Sequence, residues 1–147
     1  MNNVYHAEIE EMNKNIRNIM NVWLIENYEP SLRLVAKELD MNEMSLSNFL
    51  KDKNNITPER VNDILEFIMR EELRKNNRKH MRSLQHTSES VREALNEWAD
   101  NTYNPNLRLV SEVIEVSYPM LIQFKNNKTN LGKENLKKVY NFLKQQV

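Results

Sequence analysis

The sequence predicts an all-α protein built from two tandem copies of one unit, and three observations carry that prediction. One glycine and four prolines in 147 residues are too few for a sheet protein with its many tight turns. Apolar residues recur at helical spacing along most of the chain. Shifted by 75 residues, the sequence matches itself without a gap, the signature of an internal duplication.

The matches span a whole unit. Arg17 falls on Arg92, Asn21 on Asn96, Trp23 on Trp98, Tyr28 on Tyr103 and Pro30 on Pro105. The run Leu32-Arg33-Leu34-Val35 falls on Leu107-Arg108-Leu109-Val110, and Leu46, Phe49, Lys53, Asn55, Glu59 and Phe67 also recur. The two tryptophans, the only ones present, occupy equivalent places.

Within the first copy, Ile16, Ile19, Met20 and Trp23 form the inward stripe of a first helix. Tyr28-Glu29-Pro30 ends it, because a residue before proline is pushed out of the helical region. Ser31 is placed to cap a second helix with Leu32, Val35, Ala36 and Leu39 inward. A short turn at Asp40-Met41-Asn42 leads to a third, capped by Asn42 and facing in through Leu46, Phe49 and Leu50. After the polar loop Lys51 to Asn55, Thr57-Pro58 opens a fourth helix with proline at its first position. Its stripe is Val61, Ile64, Leu65 and Ile68. The second copy repeats the pattern through Val91, Leu95 and Trp98, then Leu107, Val110 and Ile114, then Leu121 and Phe124, then Leu136, Val139, Tyr140 and Leu143. Gly132 stands where Thr57 stood and Ser117 where Asn42 stood. The expected organisation is a first four-helix unit over 1–69, a basic helical linker over 70–86 and a second unit over 87–147.

Equal numbers of acidic and basic residues give no net charge, yet the distribution is uneven. Residues 1–69 carry 7 Lys/Arg against 12 Asp/Glu, a net of −5. Residues 70–86 carry 6 against 2, a net of +4, and residues 87–147 carry 8 against 7, a net of +1. Composition alone therefore neither proposes nor excludes a nucleic-acid partner. The chain has no cysteine and so no disulfide framework. Its opening, MNNVYHAEIEEMNK, lacks the apolar run of a signal peptide, and no later segment approaches a membrane span. A cytoplasmic protein with no membrane partner is expected.

The run LRLVAKELDMNEMSLSNFLKDKNNITPERVNDILEFI resembles the lambda-repressor-like (Xre-type) helix-turn-helix family. The resemblance covers roughly residues 16–68 and, through the repeat, 91–143. A small residue, Ala36 or Ser111, sits mid-way along the motif's first helix, where a second helix crosses closely. The bend usually carries glycine in this family; here it is Asp40 or Glu115, of which aspartate is the more tolerant of the left-handed conformation. Met41 or Val116 and a capping Asn42 or Ser117 follow. The TetR-type motif shares the three-helix pattern and is a weaker competitor.

The resemblance implies that the motif's second helix enters the DNA major groove, with residues near its N-terminal end at the base edges. In the first copy the outward positions are Glu43, Met44, Ser45, Ser47, Asn48 and Lys51. Asn48 is of the type that pairs bidentately with adenine, and Ser45 and Ser47 can reach bases or phosphates. Glu43 is repelled by phosphates unless it accepts from cytosine. The second copy places Tyr118, Pro119, Met120, Ile122, Gln123 and Asn126 there, with Gln123 replacing Asn48. Tyr118, Met120 and Ile122 make this face apolar, suited to thymine methyls, to a protein or second-copy interface, or to burial against the first copy. Arg33 and Arg108, with Lys53 and Lys128 from the loops, are candidates for clamping phosphates. In the basic stretch, Arg74, Lys75, Arg78, Lys79 and Arg82 can track a backbone between two half-sites. Each of these sets also reads as plain solvated surface.

No catalytic constellation stands out. His6, His80 and His86 lack clustered metal ligands, and there is no glycine-rich phosphate loop or nucleophile elbow. No enzyme activity, cofactor or metal is expected. The expected function is a sequence-specific DNA-binding transcriptional regulator of a phage or mobile element, acting on double-stranded DNA as a covalent pseudo-dimer or a further dimer. The alternative is a protein-binding inhibitor or anti-repressor on the same scaffold, favoured by the acidic first half and the apolar Tyr118-Met120-Ile122 face.

Overall fold

A computed structural model describes residues 2–75 and 78–146, with the side chains of 2–4 and 79 outside the description. It is helical throughout, with no strand among the described residues. The chain divides into two compact units between residues 72 and 73.

The first unit holds α1 (Asn2–Glu26), α2 (Leu32–Glu38), α3 (Glu43–Leu50) and all but the last two residues of α4 (Pro58–Arg74). Ser31 Oγ accepts from the Leu34 amide and caps α2; Asn42 Oδ1 accepts from Met44 and Ser45 and caps α3. The Thr57 hydroxyl accepts from the Arg60 amide ahead of Pro58. The core comprises Ile16, Met20 and Trp23 from α1, Val35 and Ala36 from α2, Leu46 and Phe49 from α3, and Val61, Ile64 and Phe67 from α4. Two residues expected to face inward do not: Ile19 is 44% exposed and Leu65 40%. Four short-contact helices cover only part of the arc that an i, i+3, i+4 stripe sweeps, and these two lie at its uncovered edge.

The second unit holds α5 (Lys79–Arg82), α6 (Ser88–Asn101), α7 (Leu107–Ile114), α8 (Tyr118–Lys125) and α9 (Lys133–Lys144). Val91, Leu95, Trp98, Val110, Leu121, Phe124, Val139 and Leu143 form its core. The stretch 70–86 is not one helical linker. α4 ends at Arg74, α5 is a single turn, and 83–87 is non-helical. Thr87 must be extended (φ −123°, ψ 151°) for its hydroxyl to cap α6 at Ser90, which bars a helix running through it. Met81 and Arg78 are both buried, against α6 of their own unit.

The same contacts recur 75 residues apart. Trp23 meets Phe67 edge-on with ring centroids 5.1 Å apart, and Trp98 meets Phe142 edge-on at the same 5.1 Å. Among the described residues, the non-glycine left-handed positions form four pairs: Tyr28 with Tyr103, Glu29 with Asn104, Asp40 with Glu115, and Asp52 with Asn127. Each such conformation costs about 1–2 kcal/mol for a residue with a Cβ. Helix-ending hydrogen bonds offset it: Glu29 N–H to Leu24 O (2.9 Å), Met41 N–H to Ala36 O (2.8 Å) and Lys53 N–H to Asn48 O (2.9 Å). Their counterparts run from Asn104 to Ala99, Val116 to Ser111 and Lys128 to Gln123. These are the long bonds of Schellman-type helix ends, which satisfy otherwise orphaned carbonyls.

Candidate nucleic-acid interface

In each unit two short helices meet at one of these tight turns: α2 and α3 at Asp40, α7 and α8 at Glu115. Ala36 and Ser111, the small residues midway along α2 and α7, are both buried. Ser111 Oγ donates back to Arg108 O at 2.7 Å, which keeps its hydroxyl satisfied inside the helix.

The side chain that sets α3 and α8 in place escaped the reading of the sequence, although its repeat was visible. Arg17 Nε donates to the carbonyl of Phe49, near the C-terminal end of α3, while its Nη2 reaches Asn54 O (3.2 Å) and Asn55 Oδ1 (3.1 Å). Arg92 does the same to Phe124 O (2.7 Å), Thr129 O (3.2 Å) and Asn130 Oδ1 (2.7 Å). Each guanidinium also lies over the ring it reaches past, 4.6 Å from the Phe49 centroid and 4.5 Å from that of Phe124. Asn21 and Asn96 donate to the next carbonyls, Leu50 O and Lys125 O. A fork of fixed donors on the first long helix thus closes the C-terminal end of the candidate reading helix and ties down the loop behind it.

The candidate contact residues are accessible. Arg33, Ser45, Lys51, Lys53, Arg108, Gln123, Asn126 and Lys128 are exposed; Ser47 and Asn48 are half-buried. They do not all share one neighbourhood. Ser47 and Lys51 line a groove with Leu24, Ile25 and Pro30. Lys53 lines another with Glu10, Glu11 and Asp52, and Asn126 one with Glu93, Glu97 and Asp100. Carboxylates beside Lys53 and Asn126 weaken both as phosphate ligands. In the basic stretch, Arg78 is withdrawn: its guanidinium donates to Asn101 O at 3.4 Å. The Lys79 side chain lies outside the described residues.

Arg33 and Arg108, identical in sequence, differ in setting. Arg108 lies 4.4 Å above the ring of Tyr118, a cation–π contact that orients the guanidinium over the start of α8. The residue equivalent to Tyr118 in the first unit is Glu43, which offers no ring. Tyr118 and Ile122 are half-buried, whereas Met120 is 40% exposed. Ser117, expected to cap α8, makes no side-chain cap; proline in the first turn removes an amide that would otherwise need one.

Comparisons of the chain with family models, with curated proteins and with solved structures find no match in any of the three. Among the described residues no helix is long and apolar enough to cross a membrane.

Proposed function

We propose that both units are lambda-repressor-like helix-turn-helix folds and that the chain is a sequence-specific DNA-binding transcriptional regulator, of the kind phages and mobile elements use. The second unit makes the stronger contact with phosphate. The observation that carries this reading is the α7–α8 pair: a buried small residue, Ser111, midway along α7, a left-handed turn at Glu115, and an exposed Gln123 on a helix that Arg92 holds by its far end.

Charge favours the second unit. Residues 1–72 carry 8 Lys/Arg against 14 Asp/Glu, a net of −6. Residues 73–147 carry 13 against 7, a net of +6. Phosphate neutralisation supplies most non-specific affinity, and the first unit is poorly made for it. Mobility-shift selection of the full chain against random duplexes tests the reading. Enrichment of one motif, with affinity falling steeply as salt rises, is the expected result. No retained duplex even at low salt would overturn it.

One observation favours protein recognition instead, as an inhibitor or anti-repressor: the exposed Met120 beside half-buried Tyr118 and Ile122. Apolar surface of this kind marks an interface. The pair Met120→Lys and Ile122→Lys separates the readings. Tighter DNA binding from the added charge points to a DNA face. Unchanged DNA affinity with lost biological activity points to a protein face.

A further inference from the structure

We propose that the chain pairs with a second copy of itself through α1, the two helices antiparallel about a two-fold axis at Met12. This pairing is independent of the DNA-binding reading.

The first observation is an unsupported helix. α1 has 25 residues and its counterpart α6 has 14. The surplus is N-terminal, and among its described side chains none is buried before Asn13. A few helical turns without tertiary packing are marginal in water. The second is an apolar seam. Tyr5 (59% exposed), Met12 (38%) and Ile19 (44%) follow one another at seven-residue spacing, and Val22 (51%) continues the line. Seven-residue recurrence is the seam of paired helices. It runs into an open apolar groove between α1 and α4, lined by Ile19, Val22, Trp23 and Ile68 and rimmed by Glu26 and Glu72.

The second unit shows what covers such a groove. There Ala94, equivalent to the exposed Ile19, is fully buried, while Trp98 is buried as Trp23 is. The cover is the segment 78–82, lying antiparallel to α6. Arg78 donates to Asn101 O at 3.4 Å, and the His80 amide to the Glu97 carboxylate at 2.9 Å. The His80 ring lies 3.5 Å from Glu93. By the repeat, 78–82 corresponds to residues 3–7, which in the first unit belong to the continuous α1 and leave their own groove open. Glu93 and Glu97 correspond to Asn18 and Val22, and His80 to Tyr5.

An antiparallel pair of α1 helices restores that cover in trans. With Met12 on the axis, Tyr5 of one copy falls against Ile19 of the other, between Asn18 and Val22. That is where His80 sits in the second unit. The same register sets Glu10 opposite Lys14 of the second copy, so the charges alternate favourably across the seam.

The chain has no cysteine, which makes the test direct on the full-length protein. Sedimentation is expected to give twice 17.6 kDa, and Met12→Cys is expected to form a disulfide-linked dimer on oxidation, while Glu112→Cys in the second unit does not. A mixture of Tyr5→Cys and Ile19→Cys proteins is expected to cross-link as the mixed species. Tyr5→Cys alone is not, since antiparallel packing separates its two sulfurs by roughly 21 Å at about 1.5 Å per residue. Ile19→Glu with Val22→Glu is expected to abolish the dimer and to lower helicity by no more than the unsupported turns before Asn13, with the core around Trp23 still folded. A wild-type monomer at concentrations up to about 1 mM overturns the proposal. So does a dimer that survives the Ile19→Glu/Val22→Glu pair, Met12→Cys without cross-linking, or Tyr5→Cys that cross-links readily to itself.

Discussion

Trp98 stands edge-on to Phe142 with ring centroids 5.1 Å apart and an interplanar angle of 88°, the arrangement that lets a ring's positive edge meet a negative face. Both side chains are buried, and Trp23 with Phe67 repeats the contact. Replacing either tryptophan by alanine is expected to destabilise its unit by about 3–5 kcal/mol. Denaturant unfolding followed by circular dichroism reads this; a loss below about 1 kcal/mol would mean that the indole is not a core element.

Arg17 and Arg92 are structural forks, each donating to carbonyls at the end of one short helix and in the loop behind it. Arg92→Ala leaves two backbone carbonyls and the Asn130 side chain without this donor, and a cost of about 1–3 kcal/mol is expected. Arg92→Lys is expected to recover little, because an ammonium cannot reproduce the planar fork. Full recovery of stability by lysine would assign the position to charge alone.

Arg108→Ala is expected to weaken binding to all duplexes about equally and to lower the salt slope by about one unit. Arg33→Ala is expected to do the same more weakly, given the net −6 of the first 72 residues against +6 for the rest. Salt titrations of both variants check this. Slopes unchanged in both would remove these arginines from the interface.

Gln123 and Asn48 are the candidates for base reading. Gln123→Ala is expected to cost about 1–3 kcal/mol on the preferred site and to relax choice at one base pair. Asn48 is half-buried, so the smaller effect is expected from Asn48→Ala. Binding to a panel of single-base variants distinguishes this from positioning, for which the loss is uniform across sequences.

By itself, the sequence determined the helical class, the 75-residue duplication, most helix starts and most of the core. These depend on local rules: the period of apolar residues, a hydroxyl or amide before a first turn, a proline after a last one. What the tertiary structure decided depended on neighbours that no local rule names. Ile19 and Leu65 fit an inward stripe and remain exposed because no helix of the first unit covers that edge. Arg78 belongs to a basic run and is withdrawn because Asn101 O lies within its reach. Arg17 and Arg92 were visible as a repeated pair, but their partners lie 32 to 38 residues away, a distance at which periodicity carries no information. The identical Arg33 and Arg108 were separated by one substitution in the following helix, Glu43 against Tyr118, since only a ring can hold a guanidinium over its face.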